Sequence, residues 1–302
     1  MNNTKKGILM ALATPTLWGL MTIPIRTLSA YGLTSRETSF FRCLVSGTGL
    51  FLLHYFSDRE TLRIDRRGLL HCLIYGCICY GLSFTAYATA VAEIPVAVAM
   101  VLMFLCPVYV SILNLLIFHE PLKPVNTISI VICLIGAVLV SNVLSAAGGA
   151  ISLFGIGCAL FNGLGCGLQL IIPRYFEKSY KKDTFVVYGF LGSALMLSLF
   201  TSFPAVARAI EADPVNVPAN IIFLSAICTL VPNTLFVKAS GYISGTLVSI
   251  LSGLEVVVGS LVGILLYKET MSPAQTVGAV IIVIGASLPN LKLFLEEKKR
   301  SL

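Results

Sequence analysis

Two charged residues of this 302-residue chain fall inside long apolar runs, where charge is rare and usually has a role. Glu255 lies about ten residues into the run 245–267, roughly 15 Å at 1.5 Å per residue, close to the centre of a hydrocarbon core about 30 Å thick. A carboxylate at that depth is costly to keep charged. Glu255 is therefore a candidate proton carrier or partner for a cationic group, with a structural ion pair or a protonated hydrogen bond as the alternative.

Arg42 is the second such residue, about six residues into the run 36–56 and roughly 9 Å from its end. It could pair with Glu255, bind a substrate carboxylate or extend to the membrane interface. Structural roles are the commoner outcome for such an arginine. Arg26, nearer the end of its own run, is expected to reach the interface.

Trp18 is the only tryptophan and falls near the middle of its run, between Pro15 and Pro24. Tryptophans of membrane proteins usually lie at the interfaces. A large ring at mid-depth on a kinked helix favours a cavity wall, and close helix packing is the alternative.

Three aromatic residues, Tyr80, Phe84 and Tyr87, follow one another at one-turn spacing in the run 69–91. Such stripes are more often packing, but they could line a pocket for a solute that contains a ring.

Other polar residues and prolines also interrupt the apolar runs. For Asn114, Asn162 and Gln169, hydrogen bonds between helices are expected before ligand contacts. Pro107 and Pro232 free carbonyl groups within their runs and are candidate bending points.

The composition identifies the elements that must position these residues. Hydrophobic residues make up 57% of the chain and charged residues only 12%, which predicts an all-α integral membrane protein with no separate soluble domain. Ten transmembrane helices are predicted, at 7–30, 36–56, 69–91, 96–118, 125–144, 151–173, 184–203, 218–238, 245–267 and 274–294.

The basic residues indicate the orientation of these helices. With both termini in the cytoplasm, 16 of the 21 lysines and arginines fall on the cytoplasmic side, as the positive-inside rule requires. The net charge of +7 is therefore explained by the basic residues of the cytoplasmic loops. No nucleic-acid partner is expected, because these residues are spread over short loops. In a bacterium the protein would lie in the inner, plasma membrane.

Cofactor and metal chemistry finds no support in the sequence. The nine cysteines lie almost wholly within apolar runs, without a zinc-binding spacing, and are interpreted as small buried hydrophobic residues. We expect no metal, no cofactor and no enzymatic activity, since motifs for metalloproteases, serine hydrolases and nucleotide binding are absent from the sequence.

An internal repeat organises the chain. A shift of 149 positions aligns Ala90–Ser141 with Ala239–Asn290 without a gap, and roughly a third of the pairs are identical, which indicates duplication. The predicted repeats are residues 1–145 and 146–302. Because each would contain five helices, an odd number, they would enter the membrane in opposite senses.

A Glu-x-x-x-Pro motif recurs in both repeats, at Glu120/Pro124 and Glu269/Pro273. The prolines suit the first turn of the following helix, and Ser272 is a favourable N-cap. Each glutamate is expected to complement the positive end of that helix, so the motif is interpreted as a structural elbow.

The order of these motifs resembles the drug/metabolite transporter superfamily, and within it the EamA-type proteins with two five-helix repeats. The resemblance covers nearly the whole chain, and it rests on Trp18-Gly19, the segment SFFRCLVSGTG with Arg42, the segment FTAYATA around Tyr87, Pro107, both Glu elbows, Gly136 and Gly285. This sequence departs from the family at Glu255-Val256, where Glu-Pro is frequent, and this puts a proline kink there in question.

The resemblance and the inverted repeat together predict a secondary transporter that works by alternating access around a midplane cavity. The resemblance implies small metabolites or drugs, often amino-acid-like and moved outward. The depth of Glu255 makes protons a candidate coupling ion. A non-transporting scaffold or receptor, an intramembrane enzyme and a pore are the alternatives. The oligomeric state is left open, since Gly259-x-x-x-Gly263 fits internal packing as well as a homodimer face.

The topology is testable by labelling. A single cysteine at Ser272 should react with a membrane-impermeant reagent added outside, whereas one at Lys123 should not, because the repeats place the two elbows on opposite faces. Reaction of position 123 from outside would contradict the orientation, and labelling of both positions from one face would contradict the inverted repeat.

Overall fold

The computed structural model describes residues 3–119, 124–141, 152–176, 180–240, 242–243 and 251–300. All regular elements in these ranges are helices. Glu120 and Lys123 lie outside the described residues.

Eight α-helices precede residue 142. They are α1 (Asn3–Gly19), α2 (Thr22–Ala30), α3 (Ser35–Ser57), α4 (Arg66–Gly76), α5 (Ser83–Glu93), α6 (Val96–Met103), α7 (Cys106–Phe118) and α8 (Pro124–Ser141). A 3-10 turn (Arg59–Leu62) precedes α4, and a first π-helical segment (Cys77–Leu82) joins α4 to α5.

The later part of the chain contributes seven further described α-helices. They are α9 (Leu153–Tyr175), α10 (Lys182–Ser198), α11 (Phe203–Ala212), α12 (Asn216–Ile222), α13 (Val231–Ser240), α14 (Leu254–Tyr267) and α15 (Pro273–Arg300). A second π-helical segment (Phe223–Leu230) joins α12 to α13.

Five helical stretches of the described chain are long and apolar enough to cross a membrane: Asn3–Ala30, Arg66–Glu93, Val96–Phe118, Leu153–Tyr175 and Asn216–Phe236. A sixth arises if α10 and α11, bent by 94°, form one span. The described helices therefore support five or six membrane spans, and the prediction of ten is not confirmed by them. The runs 125–144 and 245–267 extend into residues outside the description, and α3 carries Arg36, Glu37 and Arg42 among its apolar residues.

The bend between α10 and α11 differs from the single helix expected at 184–203. The α10 helix ends at Ser198, and Pro204 occupies the first turn of α11. Proline has no N–H to continue a helical hydrogen-bond ladder, and its ring suits a helix start. The chain therefore begins a new helix at Phe203 and changes direction.

Several spans are broken near their middle. The α6 helix ends at Met103 and α7 begins at Cys106, so that Pro107 occupies its first turn. The α14 helix begins at Leu254, after Gly253, without any proline. Such breaks leave backbone groups and helix ends at membrane depth, where they are tolerated only inside the protein.

Hydrogen bonds across the bundle recur in matching pairs. Ser46 of α3 donates to the Ser225 carbonyl at 2.8 Å, and Ser193 of α10 donates to the Gly76 carbonyl at 2.7 Å. Ser225 and Gly76 stand at matching positions under the shift of 149 residues. In each half of the chain, a serine thus donates a hydrogen bond to the backbone at or next to the π-helical segment of the other half.

Close approach of α8 and α15 depends on glycine. A Cβ at Gly136 would lie 2.6 Å from Ile282, and one at Gly285 would lie 2.7 Å from Ile132. Ser129 donates to the Gly285 carbonyl at 2.6 Å. The two glycines therefore let these helices pack nearly backbone to backbone.

We expect Gly76→Ala to destabilise the bundle, because a Cβ at Gly76 would overlap the backbone carbonyl of Gly189 and force α4 away from α10. Overpacking of this kind costs about 1–3 kcal/mol. Thermal unfolding in detergent should show a lower Tm. Gly157→Ala is the matched control, since nothing lies within 4 Å of a Cβ there and alanine favours the helix. Equal Tm values for the two variants would contradict the packing argument.

Candidate functional site

The Arg42 side chain is buried in the interior and only 6% exposed. Its Nε donates to Thr229 Oγ1 at 2.8 Å, and its guanidinium carbon lies 3.6 Å from the centre of the Phe84 ring. The structure thus places Arg42 inside the bundle instead of at an interface. Its two terminal nitrogens have no hydrogen-bond partner among the described residues, so donors remain for a ligand.

The position of Arg42 follows from local structure. Thr34 and Glu37 form a capping box that starts α3. Arg42 and Ser46, one turn apart on α3, bond to Thr229 and Ser225, which are one turn apart on the second π-helical segment. Two turn-spaced contacts fix the rotation of α3 about its axis.

Thr229 gains its role from the π-helical geometry. Its hydroxyl donates to the Leu224 carbonyl, five residues earlier, at 2.9 Å. The hydroxyl oxygen then accepts the bond from Arg42. π-helical segments often occur at functional sites.

Glu255 lies in the first turn of α14, directly after the break at Gly253, and its side chain is half-buried. The carboxylate interacts electrostatically with Arg42, but the two groups do not form an ion pair. Glu255 also has no hydrogen-bond partner among the described residues. The N-terminus of a helix favours an anion, which helps to hold a carboxylate at this depth.

Three further groups lie within electrostatic range of Glu255, namely the Tyr87 hydroxyl and the thiols of Cys106 and Cys166. Cys106 begins α7 and lies about 15 Å along the span Val96–Phe118. Glu255 is therefore near the middle of the bundle. The structure brings Arg42 and Glu255 together from α3 and α14 without pairing them.

Trp18 lies near this centre, on the last turn of α1. Its half-buried ring is 5.7 Å from Phe236 of α13. A Cβ on the adjacent Gly19 would lie 2.7 Å from Val258, which is one turn after Glu255 on α14. The Trp18-Gly19 pair thus allows α1 to approach α14 at the level of the carboxylate.

The aromatic stripe of the first π-helical segment and α5 is mainly packing. Tyr80 stacks on Phe190 with ring centres 4.2 Å apart and shares a 3.1 Å hydrogen bond with Tyr75. Tyr87 is 1% exposed, and its hydroxyl contacts the Met100 sulfur at 3.2 Å. Of the stripe, Phe84 is the residue that meets Arg42.

The polar residues Asn162 and Gln169 join helices. Asn162 donates to the Ser83 carbonyl at 3.0 Å, and Gln169 donates to the Cys79 carbonyl at 2.7 Å. The carbonyl of Pro232, at the start of α13, accepts a hydrogen bond from the Thr14 hydroxyl of α1 at 3.5 Å. These contacts brace the helices around the charged pair.

The two elbow prolines begin helices, since α8 starts at Pro124 and α15 at Pro273. Ser272 and Gln275 form reciprocal bonds at the start of α15. Glu269 differs from expectation, because its carboxylate accepts from the backbone N–H of Val96 at 2.8 Å and thus meets α6 instead of α15.

Sequence reasoning missed Thr229 and Ser225 as partners of α3, and it treated Cys106 and Cys166 only as packing residues. A usable signal was the spacing of Ser225 and Thr229, which matches the one-turn spacing of Arg42 and Ser46.

Two shallow apolar clefts of about 270 Å³ each open elsewhere on the described surface. One lies between Phe154 and Phe161, and the other between Ile117 and Phe176. Neither is lined by Arg42 or Glu255, so the polar centre is separate from them.

Comparison with known proteins gives the family. The EamA-like transporter family matches residues 5–142 and again residues 153–291. A pseudopaline exporter of Pseudomonas aeruginosa, CntI, is 21% identical over 285 residues, which is 93% of this chain and 94% of that protein. An uncharacterized transporter of Helicobacter pylori is 22% identical over 97% of both chains.

A crystal structure of another protein superimposes with a TM-score of 0.61 at 16% identity, over 95% of this chain and 97% of that one. At this identity the likeness establishes the fold alone. The family match covers both halves of a chain built from apolar helices. This multi-pass integral membrane protein therefore belongs to the EamA-like transporter family.

Proposed function

We propose that the chain carries a small zwitterionic or amphipathic solute, such as an amino-acid-like metabolite or a drug, across the membrane. The observation that carries this proposal is the unpaired arrangement of Arg42 and Glu255 at the centre of the bundle. A free guanidinium edge can bind a carboxylate in two-pronged fashion, and a carboxylate can bind an ammonium group. The solute would then bridge two charged side chains that do not pair with each other.

The transport mechanism is alternating access of two inverted repeats, residues 1–145 and 146–302, with ten spans in total. Support comes from the family match to each half and from the paired contacts of Ser46 and Ser193. Inverted repeats place substrate sites near the midplane, where Arg42 and Glu255 lie. Export is the proposed direction, since a relative is named an exporter.

Glu255 couples transport to protons in this proposal. Charged and titratable groups facing it are Arg42 from α3, Tyr87 from α5, Cys106 from α7 and Cys166 from α9. Arg42 is the one cation among them. A carboxyl group that alternating access opens to each compartment in turn can take up a proton from one compartment and release it to the other.

The basic test is flux in proteoliposomes, with and without an imposed pH gradient. Transport requires that the purified protein alone moves solute across a sealed bilayer. A scaffold or receptor would bind solute without flux, and an enzyme would change it chemically. Absence of flux for a panel of amino acids, their derivatives and amphipathic drugs would contradict the proposal.

Arg42→Lys should weaken transport by about tenfold or more, because an ammonium keeps the charge but loses the planar two-pronged contact and the stack on Phe84. The measurement is the solute concentration for half-maximal flux. Arg36→Lys, on the exposed first turn of the same helix, is the matched control and should leave flux unchanged. Unaltered affinity in the folded Arg42→Lys protein would limit Arg42 to a structural role.

Glu255→Gln should retain solute exchange and lose accumulation driven by a pH gradient. Glutamine keeps the shape of the protonated acid but cannot titrate. Glu211→Gln, exposed on α11, is the control that changes a carboxylate away from the site. Concentrative transport with unchanged pH dependence in Glu255→Gln would show that coupling does not use this group.

A further inference from the structure

Arg26 of α2 ties three helices together at one end of the bundle. Its Nη2 lies 2.6 Å from Glu269 Oε1, and its Nε and Nη2 both donate to the Val91 carbonyl at 3.2 and 3.1 Å. The guanidinium also lies 4.3 Å from the centre of the Tyr267 ring. One side chain thus joins α2 to the end of α5 and to the end of α14.

Glu269 extends this contact to α6. Its second oxygen, Oε2, accepts from the Val96 N–H at the start of that helix. The side chains of Arg26 and Glu269 are 24% and 11% exposed, so the pair is partly shielded from water. We name Arg26, Glu269 and Tyr267 the first latch.

A similar arrangement occurs around Arg174 near the end of α9. Its Nη1 donates to Asn114 Oδ1 at 2.9 Å, and its guanidinium lies 4.5 Å from the centre of the Phe118 ring. The contact joins α9 to the end of α7. We name Arg174, Asn114 and Phe118 the second latch.

The ring residues of the two latches stand at matching positions of the repeat, and the backbone turns that follow them match as well. Phe118 and Tyr267 are 149 positions apart, as are the next residues, His119 and Lys268. His119 and Lys268 both have φ of 53°, and among the described residues they are the only non-glycine residues with positive φ. Each donates its N–H back into its helix, to Asn114 and Gly263 respectively. An uncommon turn is therefore built twice, beside each ring.

The two latches lie at opposite ends of the bundle. The first latch holds Val96 and the second holds Phe118, and these residues are the two ends of the span formed by α6 and α7. At 1.5 Å per residue, that span separates them by roughly 35 Å. Arg42 and Glu255 lie between the latches, near the level of Cys106.

We propose that Arg26 and Arg174 are matched positioning residues, each of which closes one end of the path to the central site. This inference rests on the proposed alternating access. Each arginine joins helices from both halves of the chain, and each uses an aromatic face together with a polar partner. Both contacts are formed in this structure, so under this proposal it represents the state in which both ends are closed. Release of one latch opens that end.

Native cysteines provide the reporter for this test. Cys106 and Cys166 are half-buried close to Glu255, whereas Cys43 and Cys228 are fully buried. The full chain is labelled with a membrane-impermeant thiol reagent, added to right-side-out or inside-out vesicles, and each cysteine is quantified by peptide mass spectrometry.

Arg26→Gln should raise labelling of Cys106 and Cys166 several-fold from the face that carries Arg26, and Arg174→Gln should raise it from the opposite face. Glu269→Gln should act like Arg26→Gln, and the double variant should add little, since both changes break one contact. Arg59→Gln is the matched control, because Arg59 stacks on the ring of Tyr55 at 4.5 Å and donates to the carbonyl of that same residue, four positions earlier, so that it joins no distant helices. It should leave labelling unchanged.

A purely structural role of the two arginines would not make labelling rise from opposite faces of the membrane in the two variants. If Arg26→Gln does not fold, Tyr267→Leu and Phe118→Leu remove only the ring contacts and should shift labelling in the same two directions, more weakly. Equal labelling from both faces, or changes no larger than in Arg59→Gln, would overturn the latch assignment.

Wild-type flux separates this proposal from the proposed function. Flux without any labelling response would reject the latches and leave transport standing. A labelling response without flux for any solute would reject transport and leave the latches as a conformational device.

Discussion

Burial of the Arg42 guanidinium is the constraint on which the centre of this protein depends. A cation in a hydrocarbon interior must find polar partners inside the protein. Thr229 supplies one oxygen and Phe84 supplies a ring face, and the remaining donors stay open. The same need fixes the rotation of α3 through Ser46, and it explains why a π-helical segment faces α3, because the wider turn presents the Thr229 hydroxyl. The shape of the π-helical segment and the position of the buried cation therefore depend on each other.

Helix breaks solve the corresponding problem for the anion. The α14 helix begins at Leu254, so Glu255 lies in its first turn, at the positive end of the helix dipole. Cys106 begins α7 at the matching position of the first half. Helix breaks thus create two helix starts near the centre of the bundle, and a carboxylate stands at one of them. An unbroken helix would offer Glu255 no such compensation.

Local rules predicted part of this fold. The helix starts at Pro124 and Pro273 and the break before Pro107 follow from the chemistry of proline, which acts within one turn of the residue. The break at Gly253, the bend of 94° after α10 and the π-helical segments did not follow, because packing against distant helices decides them. Glu269 illustrates the limit: its charge suited the helix that follows it, but long-range packing gave it Arg26 and Val96. The positions of Arg42 and Glu255 deep within apolar runs marked them as candidates in the sequence. Nothing in the sequence distinguishes Thr229 from the other threonines, because its contact with Arg42 depends on how α3 packs in the folded protein.

The frame of the protein is nearly symmetric, but its central charges are not. Ser46 and Ser193 make matching bonds, and one turn before them stand Arg42 and Gly189. Glu255 is likewise matched by Cys106. A symmetric frame supplies two equivalent ends, each with an arginine against an aromatic ring. An asymmetric centre supplies one cation and one anion, which suits the zwitterionic solute proposed for this site. Two like charges related by the repeat would repel each other and bind only one sign of solute. Arg42 against Gly189 and Glu255 against Cys106 are therefore differences between the halves that favour a solute with two opposite charges.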